Sequence, residues 1–161
     1  MMARAWVFGD NISTDHIIPG RFNITSDPKE LRKHIFKYIR PEFAEEVKVD
    51  DVVIGAKNFG CGSSREHAAI VMREAGVYLV AQSYGWIFRR NCVNLGVMPL
   101  QSKETVKVRD GEEVEVDLTN HLIKDCRGKA YQLTPTPKIV LDIHMAGGLI
   151  MYLNTHKSYS I

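Results

Sequence analysis

The ten residues Asn58-Phe59-Gly60-Cys61-Gly62-Ser63-Ser64-Arg65-Glu66-His67 sit between two patterns of different period. Ahead of them, Val52-Val53-Ile54 is a short unbroken apolar run, which reads as a buried strand. Behind them, Ala68 to Ala75 is amphipathic and reads as a helix. The ten residues are then a strand-to-helix connection with two glycines, two hydroxyls and a guanidinium at the helix entrance. Backbone N–H groups at a helix start lack intrahelical partners, and the helix dipole adds partial positive charge there. Such an entrance suits a carboxylate or phosphate.

A plainer pattern overlaps this one. Ser63-Ser64-Arg65-Glu66 fits a capping box, with Ser63 as N-cap and Glu66 reaching back to it. That accounts for Ser63 and Glu66. It leaves unexplained the glycines at 60 and 62, which let backbone approach a ligand closely. Nor does it require Arg65 in the first turn, where a cation opposes the dipole at a cost of about 0.3–1 kcal/mol unless it holds an anion. Beside an arginine, a serine can serve as nucleophile, or as base if its alkoxide is stabilised.

A chain of 161 residues, 45% hydrophobic and 25% charged, can bury a core without disulfide staples, and residues 1–161 read as one domain. A net charge of +2 gives no basic excess that would recommend nucleic acid. Met1 to Phe8 is too short before Gly9-Asp10-Asn11 to be a signal peptide, and no run approaches the ~18 apolar residues of a membrane span. The expectation is a cytoplasmic protein with neither nucleic acid nor membrane as partner. Cys61, Cys92 and Cys126 lie far apart without C-x-x-C spacing, which argues against a disulfide framework and against a zinc or iron–sulfur site held by this chain alone.

In chain order, Ala3 to Phe8 reads as a first strand with Trp6 and Phe8 on one face. Ser13-Thr14-Asp15-His16 is either turn chemistry or the rim of a site. Arg21 to Ser26 reads as an exposed loop. Asp27 then caps a helix with Pro28 at its first position, burying Leu31 and Ile35. After the central helix, Gly76 is a C-cap and Val77 to Ala81 a second buried strand. Tyr84 to Leu95 has helical spacing, with Trp86, Ile87, Val93 and Leu95 as its apolar face and Arg89-Arg90 outside. Gly96 closes it before a short strand at Val97 to Leu100. This alternation implies a parallel sheet. Val106 to Val108, Val114 to Leu118, Leu122-Ile123 and Tyr131 to Leu133 then read as antiparallel strands, and Lys138 to Leu153 as a helix bent at Gly147-Gly148. The fold class is α/β with a mainly parallel core sheet and an added antiparallel part.

Neither G-x-G-x-x-G nor G-x-x-x-x-G-K-[ST] nor the G-x-S-x-G elbow is present, so nucleotide binding and α/β-hydrolase chemistry are disfavoured. The histidines show no metal-ligand spacing.

The string Asn58 to His67 resembles the signature of the swivelling C-terminal domain of the aconitase superfamily, which in some members forms a separate small subunit. Gly9 to Pro19 resembles the family's N-terminal motif, Ser83 to Asn91 the helix after the second strand, and Ala146 to Leu149 the C-terminal helix. Together they cover most of the chain in the family's order. The resemblance implies a β/β/α swivelling domain that takes part in dehydrating and rehydrating a malate-type hydroxy acid. It implies a 4Fe-4S cluster held by a large subunit in a heterodimer or higher assembly, with no metal bound by this chain. It further implies Ser63 as catalytic base, and Ser64, Arg65, Asp15 and Arg21 as binding residues for a small dicarboxylic hydroxy acid. Substrate choice tracks the loop Phe22-Asn23-Ile24-Thr25, where homoaconitase-type chains carry an arginine in place of Ile24. An apolar Ile24 favours an isopropyl-bearing acid in leucine biosynthesis. Homoaconitate, a methylmalate/citraconate pair or a dual specificity stay open, as does a non-catalytic anion-binding module.

Overall fold

The computed structural model describes residues 2–156. Four parallel strands, β1 (Met2–Val7), β2 (Val52–Ile54), β3 (Tyr78–Ala81) and β4 (Pro99–Gln101), continue into three antiparallel ones, β5 (Glu113–Asp117), β6 (Leu122–Asp125) and β7 (Ala130–Gln132). The order across the sheet is β4-β3-β2-β1-β5-β6-β7. β1 is the hinge between the two modes. Its Ala5 to Val7 pair in parallel with Val52 to Ile54, while Met2 to Arg4 pair antiparallel with Glu113 to Glu115.

The outer edges meet. Ser102 bridges Leu133, the Lys103 N–H donates to the Gln132 carbonyl at 3.0 Å, and the Thr134 N–H donates to the Gln101 carbonyl at 2.7 Å. The sheet therefore curls toward a barrel, which removes exposed strand edges. Side chains alternate accordingly. Ala5, Val52, Ile54, Val80, Leu100, Val114, Ile123 and Tyr131 fill the inside. Trp6, Phe8, Val53, Leu79 and Ala81 face outward into a second core built with the helices.

Those helices are α1 (Thr14–Ile17), α2 (Pro28–Arg32), α3 (Phe43–Glu46), α4 (His67–Ala75) and α5 (Trp86–Asn94), followed by α6 (Lys138–Met145) and α7 (Leu149–Thr155). α4 buries Ala68, Ala69, Val71, Met72 and Ala75, and ends on Gly76 with a left-handed φ of 67°. Asp27 caps α2 by accepting the Lys29 N–H, with Pro28 opening the helix.

The expected elements are present in order, with four differences. The C-terminal helix is two helices interrupted at Gly147-Gly148. Val106 to Val108 forms no strand, although Val106 is buried, because the sheet edges join at Ser102 and Leu133 instead. In α5 the buried residues are Phe88 and Cys92, while Trp86 is 73% exposed. Arg89 is half-buried, and only Arg90 of that pair is exposed.

Candidate active site

The connections leaving β1, β2 and β3 lie together at the carboxyl ends of the parallel strands, the end at which open α/β sheets bind ligands. They extend the sheet's pairing in single bridges, Ser13 with Cys61 and Phe59 with Tyr84. The Gly60 N–H donates to the Ile12 carbonyl at 2.6 Å, and the Thr14 N–H to the Cys61 carbonyl at 2.8 Å. On the other side the Phe59 N–H donates to the Ser83 carbonyl at 3.0 Å, and the Gly85 N–H to the Phe59 carbonyl at 2.8 Å. The central connection is thus stitched to both neighbours.

Within this frame the Arg65 guanidinium binds three elements together. Its Nε–H donates to Ser63 Oγ at 3.0 Å, its Nη2 donates to Asp15 Oδ1 at 2.6 Å, and a Cβ on Gly20 would overlap its Nη1. The Arg65 backbone N–H also points at Ser63 Oγ, at 3.4 Å. The Ser63 N–H is fixed by buried Thr14, whose Oγ1 accepts it at 3.1 Å. A hydroxyl oxygen that accepts from a guanidinium has its negative form stabilised. Ser64 is exposed beside it, and its carbonyl accepts from Asn91 Nδ2 at 3.4 Å. Asp15 and Ser63 occupy only two of Arg65's five N–H groups, so donors remain for a carboxylate.

Gly60 is required by packing as well as by its φ of 75°. The Phe88 ring occupies the space a Cβ would take. Gly60→Ala is expected to cost about 2–4 kcal/mol through overpacking and a left-handed alanine. Thermal unfolding should register this as a Tm lower by about 4–12 °C in a chain of this size.

The capping box expected at Ser63 and Glu66 is not formed. α4 starts at His67, Glu66 is its N-cap, and no side chain caps it. The Ser63 hydroxyl is engaged by Arg65 instead. A capping box does occur elsewhere: Ser13 Oγ accepts the His16 N–H, and His16 Nδ1 accepts the Ser13 N–H. That arrangement sets the short helix carrying Asp15.

Of the remaining expected residues, Arg21 does not join the Ser63–Arg65 cluster. Its guanidinium lies over the rings of Phe22 and Tyr38, at 4.9 and 4.8 Å. Phe22 packs toward the outer core, Ile24 is 90% exposed, and Thr25 Oγ1 accepts the Asp27 N–H. Both polar atoms of the Asn23 amide are buried without a partner among the described residues. The sequence reading missed Thr14, Gly20 and Asn91. Thr14 lies in a stretch of turn chemistry and Asn91 at the end of the stretch that resembles the family's helix, and neither pattern signals a contact with residues 63–65.

No group of three or more His, Cys, Asp or Glu among the described residues could hold a metal ion. Cys92 is buried, which pushes its thiol pKa up, while Cys61 is partly exposed and Cys126 exposed. Among the described residues no helix is long and apolar enough to cross a membrane. A cleft of about 660 Å³ lies at the amino ends of the strands, between Met2, Arg4, Asp50 and Tyr78, and shares no residue with the Ser63 cluster.

The aconitase C-terminal domain family matches residues 3–105, and the mixed sheet with its surrounding helices is a fold of that class. The 3-isopropylmalate dehydratase small subunit 1 of Archaeoglobus fulgidus is 46% identical over 94% of this chain and 95% of its own. The 3-isopropylmalate dehydratase small subunit of Aquifex aeolicus is 48% identical over 92% and 91%. A crystal structure of 3-isopropylmalate dehydratase from Methanocaldococcus jannaschii matches with a TM-score of 0.91 at 39% identity, covering 97% of this chain and 94% of that one. The chain belongs to the family of 3-isopropylmalate dehydratase small subunits, within the aconitase C-terminal domain class.

Proposed function

We propose that this chain supplies the proton-transferring and carboxylate-binding half of a hydro-lyase that interconverts 2- and 3-isopropylmalate in leucine biosynthesis. The observation that carries the roles is Ser63 Oγ accepting from Arg65 Nε at 3.0 Å while Asp15 braces the same guanidinium. Ser63, as alkoxide, takes a proton from the carbon next to a substrate carboxylate. The C–H electron pair becomes the double bond as hydroxide departs from the neighbouring carbon. Re-addition in the opposite sense returns the proton from Ser63 and places the hydroxyl on the other carbon. Arg65's free N–H groups and the Ser64 hydroxyl hold the carboxylate and the negative charge that builds on it. A 4Fe-4S cluster on the large subunit would supply the Lewis acidity that assists the leaving hydroxyl. Among the described residues no three His, Cys, Asp or Glu come together as such a site would need.

Ile24 presents an exposed apolar side chain suited to an isopropyl group, and a carboxylate enclosed against it in the assembled complex would go unpaired. The test is reconstitution with a cluster-loaded large subunit, comparing 3-isopropylmalate with homocitrate. Isopropylmalate turnover is expected to dominate. Ile24→Arg should move relative kcat/KM toward homocitrate by about tenfold or more, the worth of one paired charge. An unchanged ratio would remove the loop from substrate choice, and no turnover of either acid would favour a non-catalytic anion-binding module.

A further inference from the structure

We propose that His34 and Tyr38 are positioning residues for substrate choice, holding the loop 20–25 in place through an aromatic stack centred on Phe22. The proposal rests on the reading above, in which that loop faces the substrate. Phe22 lies flat on the His34 imidazole, with ring centroids 4.0 Å apart and planes 5° from parallel. Tyr38 approaches the same ring at 6.2 Å, and the Arg21 guanidinium sits 4.9 Å from Phe22 and 4.8 Å from Tyr38. Two loop residues and two residues from the segment after α2 thus form one cluster.

Both sides of this cluster lead to the catalytic arginine. The segment bearing His34 and Tyr38 is anchored by fully buried Leu31, Ile35 and Phe36. Its Phe36 N–H donates to the carbonyl of Ile17, the last residue of α1, at 2.8 Å. α1 also carries Asp15, which braces Arg65. On the loop side, Gly20 and Phe22 belong to one 3-10 turn, closed by the Phe22 N–H donating to the Pro19 carbonyl and the Asn23 N–H to the Gly20 carbonyl. Gly20 lies against the Arg65 guanidinium, so a turn that fixes Phe22 on His34 also fixes Gly20 on Arg65. The position from which Ile24 projects follows from both.

Ring faces do the holding. The buried Nδ1 of His34 and the buried amide of Asn23 have no hydrogen-bond partner among the described residues, so neither polar group ties the loop down. A phenyl ring at position 34 should therefore serve as well as an imidazole, and an alanine should not.

The experiment uses the reconstituted holoenzyme with His34→Ala, His34→Phe and, in case the first does not fold, Phe22→Leu. Loss of one stacked pair should raise KM for 3-isopropylmalate about 3- to 10-fold with kcat nearly unchanged, and shrink the preference over homocitrate by a similar factor. His34→Phe should restore both values. A role in stability alone would lower Tm and leave KM and preference unmoved, which overturns the proposal. Equal impairment in His34→Ala and His34→Phe would overturn it too, since it would point to the imidazole nitrogen. Ser63→Ala measured alongside separates the two readings. If that variant is inactive while His34→Ala behaves as wild type, the stack has no positioning role and the reading of the site stands. If Ser63→Ala is fully active, the reading itself fails.

Discussion

Ser63→Ala in the complex with the large subunit is expected to lower kcat by about 10²- to 10⁴-fold, the range contributed by a positioned proton-transfer group. KM and assembly should change little. The removed atom accepts two hydrogen bonds from Arg65, but the Ser63 backbone is fixed independently through its N–H to Thr14 Oγ1. The connection also keeps its bridges to both neighbouring loops, so alanine leaves the frame standing. Arg65 retains Asp15 and its contact with Gly20, and so stays available to a substrate carboxylate. A fall in kcat with preserved KM is the signature of an interaction used in the transition state and not in binding. Single-turnover kinetics with a deuterium-labelled substrate provide the check. Retained turnover would reassign the base.

The strand-to-helix junction was legible because both its flanks are periodic. Val52 to Ile54 is apolar without a break, and Ala68 to Ala75 follows a helical stripe, so neighbouring packing could not change either assignment. Tertiary competition misdirected the reading between them. Ser63 and Glu66 have capping-box spacing, yet Arg65 and Thr14 take Ser63's polar groups and the helix begins three residues after the glycine-rich turn's second serine, at His67. The capping box that does form has His16 in the role usually held by Glu or Gln, which the sequence pattern does not register. Trp86 is apolar, yet it is exposed. The inward face of α5 is fixed instead by Phe88 filling the space over Gly60, a contact between residues 28 positions apart. The Arg65–Asp15 pair spans 50 residues, and periodicity gives no access to such a contact. Family resemblance did bring those two residues to one site, but it gave no hint that Arg21 would turn away onto Phe22 and Tyr38.

Arg65→Lys should be nearly as damaging as removal of Ser63, lowering kcat/KM by about 10²- to 10³-fold, comparable to loss of one oxyanion donor. The substitution keeps the positive charge and so isolates geometry. Arg65 reaches Ser63 through Nε and Asp15 through Nη2 at the same time, two donors on one rigid plane, with further N–H groups left over. A lysine ammonium presents its donors from a single point on a flexible stem. If it pairs with Asp15 it leaves Ser63 Oγ without its charged donor, and the serine's alkoxide loses its stabilisation. If it turns to Ser63, Asp15 is freed as an uncompensated negative charge beside the incoming carboxylate. Either outcome impairs proton transfer and binding together, so kcat should fall and KM rise, unlike the pattern for Ser63→Ala. Asp15→Asn should cost less, about tenfold, because the amide oxygen still accepts from Nη2 while only the charge is lost. The double variant Ser63→Ala/Arg65→Lys should be little worse in kcat than Ser63→Ala, since the guanidinium's effect on the base vanishes with the base. Multiplicative losses in that cycle would mean that Arg65 binds substrate without activating Ser63.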